Sequence, residues 1–180
     1  MKTLTIVALF SLLFTSVALA APALNKAAPT FSLRDRQGAL IALGDLAYSG
    51  KAKARRPKQV VLLDFFRTDC KPCHKGLAKL IGLHKKYKGK GVTVYLVALL
   101  EDDGGEGKLN AFLKKNPLPF PVLVDAYGVV GKKYVKSGNG FSIPALFVID
   151  KDGVLRAHVQ GLNKTAANKL DPLLARLAKK

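Results

Sequence analysis

A run of apolar residues that ends shortly before a pair of cysteines is the feature that most constrains the fold of this chain. Residues 59–66 (QVVLLDFF) combine β-branched and large apolar side chains, as is typical of a strand buried on both faces of a sheet. The motif Cys70-Lys71-Pro72-Cys73 follows. Beyond it, helical periodicity places four side chains on one face: Leu77, Leu80, Ile81 and His84. The sequence therefore predicts a buried strand that leads, through the two cysteines, into an amphipathic helix.

Strand and helix patterns alternate along the rest of the chain. Strands are expected at residues 31–34, 40–47, 92–100, 119–124, 145–149 and 154–160. Helices are expected at residues 108–115, at 126–136 and near the C-terminus, where Leu170, Leu173, Leu174 and Leu177 repeat at helical spacing. Residues 48–58 form a predicted basic loop, and residues 150–153 (DKDG) are typical of a hairpin turn. This alternation predicts a mixed α/β domain.

The first twenty residues have the organisation of a secretory signal peptide. Lys2 provides a positive n-region, residues 4–14 an apolar h-region, and Ala18-Leu19-Ala20 a small-residue cleavage site. We therefore expect a cleaved signal peptide at 1–20 and one domain at 21–180 in a periplasmic or secreted protein, where disulfides persist. The alternative is an uncleaved membrane anchor, because residues 3–20 are mostly apolar and approach the length of a membrane span.

Cysteines three positions apart at the start of a helix favour redox chemistry. The thiol of Cys70 would lie beside the unpaired N–H groups of the first turn, where the helix dipole favours a thiolate, and Lys71 adds a positive charge. Pro72 is compatible with the first turn because the N–H that it lacks has no partner there. A disulfide that closes a four-residue loop contributes only about 2 kcal/mol by loop entropy. Reversible oxidation is therefore favoured over structural cross-linking.

Three segments of the chain carry a family resemblance. They are residues 60–73 (VVLLDFFRTDCKPC), 120–134 (FPVLVDAYGVVGKKY) and 141–155 (FSIPALFVIDKDGVL). Together they resemble the thioredoxin superfamily, and within it the secreted or membrane-tethered thiol-disulfide oxidoreductases of the TlpA/ResA type. The resemblance implies a thioredoxin-like α/β fold, with a central mixed sheet of about five strands flanked by helices. It favours a reductant of protein disulfides, recharged by a membrane electron donor, over an oxidant, although the sequence alone leaves the direction open. We expect a monomer that needs no cofactor.

The resemblance assigns roles to three residues of the reaction. Cys70 would be the thiolate that attacks a target disulfide, and Cys73 the thiol that resolves the mixed disulfide. Asp64 would accept the proton of Cys73, since a carboxylate in an apolar strand is costly unless it is paired or neutral. The alternative for Asp64 is a strand-edge residue that faces water.

Four further residues are expected to contact the substrate. Ile143 would offer its backbone to an extended target peptide, next to Pro144 in a cis peptide bond. The alternative is an ordinary trans proline at the entry to a strand. Lys71 and Pro72, between the cysteines, complete the expected substrate contacts. Asp69 departs from the family pattern and disfavours the thiolate that Lys71 stabilises.

Two rival interpretations use the same cysteines. Cys70, Cys73 and His74 match the C-x-x-C-H pattern of c-type haem attachment. Zinc is a second rival, with Cys70, Cys73, His84 and His158 as ligands of the right type but without a close second pair. Neither is preferred, and the sequence predicts no bound metal.

The charge of the chain is concentrated around the cysteines. The formal net charge is +18, or +17 without residues 1–20, and residues 51–90 hold 13 Lys and Arg against two acids. Lys75, Lys79 and Lys86 are expected on one face of the helix that follows the cysteines. This charge predicts an acidic partner protein or an anionic surface, and no nucleic acid, since no aromatic platform accompanies the basic residues. A solubilising surface is the plainer interpretation. The alternative function is a non-catalytic binding or chaperone module that uses these basic residues.

Overall fold

Nine strands and five helices make up the part of the chain that the computed structural model describes, which is residues 22–47, 58–100 and 104–179. In chain order the strands are β1 (Ser32–Asp35), β2 (Leu40–Ala42), β3 (Val60–Phe66), β4 (Val92–Leu99), β5 (Val122–Asp125), β6 (Lys136–Ser137), β7 (Gly140–Phe141), β8 (Ala145–Ile149) and β9 (Leu155–Gln160). The helices are α1 (Leu43–Ala47), α2 (Lys71–Tyr87), α3 (Gly105–Lys115), α4 (Val129–Tyr134) and α5 (Lys164–Lys179).

Seven of these strands form one mixed sheet in the order β2-β1-β5-β4-β3-β8-β9. The central strands β3, β4 and β5 run parallel, and β8 pairs antiparallel with β3. Because β8 is antiparallel to β3, its first residue lies at the same edge of the sheet as the last residues of the three parallel strands. The segments that follow β3 and precede β8 are thereby brought to one edge.

Helices cover both faces of the sheet and so bury β3 and β4 on both sides. Leu62 and Phe66 point to the face covered by α2, α3 and α5, whose apolar residues form one core. Leu63 and Phe65 point to the opposite face, covered by α1 and α4. By the two-residue period of a strand, Asp64 lies on the α2 face.

The predicted elements agree with the structure except near the N-terminal end and in strand number. The expected strand at 40–47 stops at Ala42 and continues as helix α1, whose Leu43, Leu46 and Ala47 are buried against the sheet. The sheet has seven strands rather than about five, since β1 and β2 extend it beyond β5. The short hairpin of β6 and β7 was not expected.

Two predictions lie outside the described residues. The signal peptide at 1–20 and nearly all of the basic loop at 48–58 belong to segments that the structure does not describe. Within the described residues, no helix has both the length and the apolar character needed to cross a membrane.

Candidate active site

The two cysteines form a disulfide where β3 leads into α2. The Cα atoms of Cys70 and Cys73 lie 5.3 Å apart, and the two sulfurs are bonded. Cys70 is the N-cap of α2 and Pro72 lies in the first turn, where its missing N–H leaves no carbonyl without a partner. The strand fixes one side of the disulfide and the helix the other, so both sulfurs are held at the edge of the sheet.

The two cysteines differ in their access to solvent. Cys70 is half-buried, whereas only 3% of Cys73 is exposed and its side chain belongs to the core beneath α2. In thiol exchange, the sulfur that a partner can reach is the one that attacks or is attacked. Cys70 is therefore the more accessible of the two cysteines.

The start of α2 places a backbone hydrogen-bond donor beside the Cys70 sulfur. The backbone N–H of Cys73 lies 3.2 Å from Cys70 Sγ and 3.0 Å from the Cys70 carbonyl oxygen, and the N–H of His74 lies 3.3 Å from that carbonyl. Unpaired N–H groups at a helix start stabilise negative charge. Once the disulfide is opened, this geometry favours the thiolate of Cys70.

An ion pair next to the disulfide weakens the effect that Asp69 was expected to have on the Cys70 thiolate. Arg67 Nε lies 3.0 Å from one oxygen of the Asp69 carboxylate, and its terminal nitrogen 2.9 Å from the other. This two-bond pairing offsets the negative charge of Asp69. Lys71 is exposed in the first turn of α2, so its positive charge is less opposed than the sequence suggested.

Asp64 is buried in β3, on the face that α2 covers. Only 6% of the residue is exposed, and no described residue forms a hydrogen bond or an ion pair with its carboxyl group. Burial raises the pKa of Asp64 to about 8. The alternative of an aspartate facing water at a strand edge is therefore wrong, because β3 lies between β4 and β8.

The peptide bond between Ile143 and Pro144 is cis, as predicted. Both residues are half-buried and directly precede β8, at the edge of the sheet where β3 leads to Cys70. The Pro144 carbonyl accepts a hydrogen bond of 2.9 Å from the N–H of Gly161. The expected substrate-contacting residues thus fall at one edge, with Lys71 and Pro72 exposed on α2. Their contact with substrate remains a prediction.

The side chain of His74 makes contacts that neither the haem nor the zinc interpretation predicted. Its Nε2 lies 3.0 Å from the carbonyl oxygen of Thr68, and its ring packs against those of Phe66 and Phe112. The sequence did not indicate these contacts, because Phe112 comes from α3, far along the chain. In this structure the two sulfurs of the haem pattern are bonded to each other, and His74 Nε2 is engaged with the Thr68 carbonyl.

The four candidate zinc ligands are not brought together. His84 lies eleven residues beyond Cys73 on α2, about 16 Å at 1.5 Å per residue, and its ring contacts Phe120. His158 stacks on Phe147, which belongs to the core on the other face of the sheet. In residues 22–47, 58–100 and 104–179, no three His, Cys, Asp or Glu side chains form a group suited to a metal ion.

Three lysines of α2 form a basic face beside the disulfide. Lys71, Lys75 and Lys79 are all exposed, and none forms an ion pair with a described residue. Lys86 differs, because its Nζ lies 2.6 Å from a carboxylate oxygen of Asp171 on α5. We call Lys71, Lys75 and Lys79 the basic face.

Comparison with known proteins agrees with this site. Residues 24–158 match the AhpC/TSA family. Thiol-disulfide oxidoreductase ResA of Bacillus thuringiensis subsp. konkukian is 34% identical over 138 residues, which cover 77% of this chain and 70% of ResA. Thioredoxin-like protein YneN of Bacillus subtilis is 32% identical over 138 residues, or 76% of this chain and 72% of YneN.

The fold has close structural relatives as well. The crystal structure of a putative thiol:disulfide interchange protein DsbE from Chlorobium tepidum superimposes with a TM-score of 0.69 at 26% identity, covering 87% of this chain and 99% of that one. The thioredoxin-like fold predicted from the sequence is thereby confirmed. The chain belongs to the AhpC/TSA family of thioredoxin-like proteins, and it is a thiol-disulfide oxidoreductase of the ResA and DsbE type.

Proposed function

We propose that this protein works outside the cytoplasm as a reductant of protein disulfides, with Cys70 as the attacking thiolate and Cys73 as the resolving thiol. The observation that carries this proposal is the unequal exposure of the two cysteines, with Cys70 half-buried and Cys73 only 3% exposed. A buried second thiol reacts only within the protein, as resolution requires.

The reaction transfers two electrons in two exchange steps. In the reduced protein, the Cys70 thiolate attacks one sulfur of a substrate disulfide, forms a mixed disulfide and releases the other substrate sulfur, which takes up a proton. Cys73, once deprotonated, attacks the Cys70 sulfur. The Cys70–Cys73 disulfide forms, and the second substrate sulfur leaves as a thiolate and is protonated. The dithiol is oxidised and the substrate disulfide reduced.

Asp64 is the proposed acceptor of the Cys73 proton. Its carboxyl lies on the face of β3 that α2 covers, and burial raises its pKa to about 8. An ordinary thiol titrates near 8.5, so the proton moves between groups of similar basicity. An ordinary carboxylate, with a pKa near 4, would be too weak a base for this transfer.

The substrate is proposed to bind as an extended peptide along the Ile143–Pro144 bond, with Lys71 and Pro72 on its other side. The basic face supports a preference for acidic partners, because none of its three ammonium groups forms an ion pair with a described residue. Such a partner includes the membrane electron donor that would restore the dithiol. The protein would act as a monomer.

Trapping tests the assigned roles. Cys73→Ala should accumulate a mixed disulfide between Cys70 and its substrate in cells, because the resolving thiol is gone. Cys70→Ser is the matched control and should trap nothing and reduce no protein disulfide. Trapping through Cys73 in the Cys70→Ser protein instead would reverse the assignment, and full biological activity of Cys70→Ser would favour a non-catalytic binding module.

Direction and location need two further measurements. A dithiol potential near that of thioredoxin, about −270 mV, would support a reductant, whereas one near −120 mV would make the protein an oxidant. N-terminal sequencing of protein from the cell envelope should begin at Ala21, the residue after the expected cleavage site. A start at Met1 would favour the uncleaved anchor.

A further inference from the structure

We propose that His74 is a positioning residue of the dithiol. Its ring binds the carbonyl of Thr68 and so holds the segment before Cys70 against α2. This contact keeps the Cys70 sulfur at the start of the helix when the disulfide is open. The proposal rests on the redox function proposed above. It concerns a residue for which the C-x-x-C-H pattern suggested only a haem.

The hydrogen bond between His74 and Thr68 has a defined direction. The two atoms, Nε2 and the carbonyl oxygen, lie 3.0 Å apart. A carbonyl oxygen can only accept, so Nε2 carries the hydrogen and donates it. The bond therefore spans six residues, from the first turn of α2 back across the disulfide to the loop after β3.

The ring of His74 is held in place by two phenylalanines. Its centroid lies 5.6 Å from that of Phe66 at the end of β3, and 4.9 Å from that of Phe112 on α3. Phe66 and Phe112 are themselves 5.0 Å apart, so the three rings form one cluster. A donor fixed by such packing loses little side-chain freedom when it bonds to Thr68.

The hydrogen bond should matter more in the reduced protein than in the oxidised one. In the oxidised protein the S–S bond already ties Cys70 to α2. After reduction, the links that remain include short-range backbone hydrogen bonds, from Cys73 and His74 to Cys70 and from Lys71 to Asp69. The bond from the His74 ring to Thr68 spans more of the chain than these do. Loss of the ring donor would therefore weaken the reduced state selectively and make the disulfide harder to reduce.

Substitutions at His74 can separate the donor from the ring. His74→Phe keeps an aromatic ring for Phe66 and Phe112 but has no donor. His74→Gln places an N–H near the position of Nε2 but lacks the ring and cannot be protonated. His84→Phe, on the same helix but about 15 Å further along, is the matched control.

The readout is the equilibrium between dithiol and disulfide in a glutathione redox buffer. We expect His74→Phe to shift the equilibrium constant about tenfold toward the disulfide, equivalent to about 30 mV. His74→Gln should remain within about threefold of the wild type, and His84→Phe should not differ from it. Alkylation of chemically reduced protein should require a higher pH in His74→Phe, because its thiolate is less well held at the helix start.

Three outcomes would overturn the proposal. They are an unchanged equilibrium in His74→Phe, a His74→Gln protein that behaves like His74→Phe, and an equal shift in His84→Phe. If His74→Phe does not fold, His74→Ala also lacks the donor and must shift in the same direction. The alkylation assay needs no substrate, so it tests His74 even if the protein proves unable to reduce protein disulfides.

Discussion

Asp64 and Asp150 are buried to the same extent, with 6% of each residue exposed, yet their carboxyl groups have opposite surroundings. The carboxylate of Asp150, in the turn between β8 and β9, accepts hydrogen bonds from the N–H groups of Asp152 and Val154 and from Arg156 Nε at 2.6 Å. The carboxyl of Asp64 receives no hydrogen bond from any described residue.

The difference shows that burial alone does not identify a functional acid. A buried charge is tolerated where donors replace the water that it loses, as at Asp150. Without such donors the neutral form is favoured, and the group titrates near neutral pH, as at Asp64. Their positions agree with this distinction, since Asp64 faces α2 while Asp150 lies at the opposite edge of the sheet from Cys70.

The largest expected effect comes from changing pH in proteins with and without Asp64. The pKa of Asp64 is about 8 in the folded protein, against 3.8 as its ordinary value, so the unfolded chain binds fewer protons between these limits. The contribution of Asp64 to the free energy of unfolding therefore falls as the pH rises from 3.8 to about 8. Between pH 5 and 9, wild type should lose about 4 kcal/mol of unfolding free energy relative to Asp64→Asn.

Chemical denaturation of the two oxidised proteins at several pH values would measure this loss. The oxidised form removes thiol titration, and the histidines cancel because both proteins contain them. If the difference in unfolding free energy between wild type and Asp64→Asn did not vary with pH, Asp64 would be charged and solvated. Asp64 and Asp150 would then not differ in their charge state.

The second effect concerns Asp150, where removal of the carboxylate should destabilise the fold. Asp150→Ala leaves two backbone N–H groups and the half-buried Arg156 without their acceptor, at a cost of about 3 kcal/mol. Thermal unfolding at pH 7 would measure it. Disulfide exchange by the folded protein should be unaffected, because the turn is remote from Cys70. Slow exchange at temperatures where Asp150→Ala is folded would contradict a purely structural role.

The sequence predicted the region around Cys70 better than the surroundings of the two aspartates. The strand at 59–66, the cysteine motif and the helix after it are local patterns, and each has its own periodicity or turn chemistry. The apolar neighbours of Asp64 predicted its burial. The donors to Asp150 lie within six residues of it, in and just after the predicted turn. The lack of a described donor at Asp64 depends on which distant residues surround it, and no local pattern contains that information.

The other differences between the prediction and the structure also arise from contacts between residues that are far apart in the sequence. Helix α1 has five residues, too few to establish a helical period, and it forms where its apolar side chains meet the sheet. The contact of His74 with Phe112 joins α2 and α3, which β4 separates along the chain, and it was beyond prediction for the same reason. The hairpin of β6 and β7 has two residues per strand, and the ring of Phe141 lies closely over Gly128 and Gly131, where any larger residue would collide with it.

The third effect tests the chemistry proposed for Asp64. Asp64→Asn cannot accept the Cys73 proton, so resolution of the mixed disulfide should slow about 30-fold, within the range of general base catalysis. Attack by Cys70 should proceed at its normal rate. Stopped-flow measurement of the two steps with a disulfide-bonded peptide would separate them. Equal slowing of both steps would indicate that Asp64 supports the fold of the site and does not take the proton.

The smallest effect extends the comparison to Asp69, an exposed aspartate that pairs with Arg67 across two hydrogen bonds. Arg67→Gln leaves an uncompensated negative charge beside Cys70 and should slow its alkylation at pH 7, whereas Asp69→Asn leaves the positive charge and should accelerate it. Exposed pairs contribute about 0.2–1 kcal/mol, so each change should be about two- to threefold. The double variant should return close to the wild-type rate, because it removes both charges.

Salt should reduce both single effects, as expected of exposed charges and unlike the behaviour of buried Asp64. If Arg67→Gln and Asp69→Asn changed the rate in the same direction, the pair would act by shaping the loop before Cys70, and its charges would be secondary.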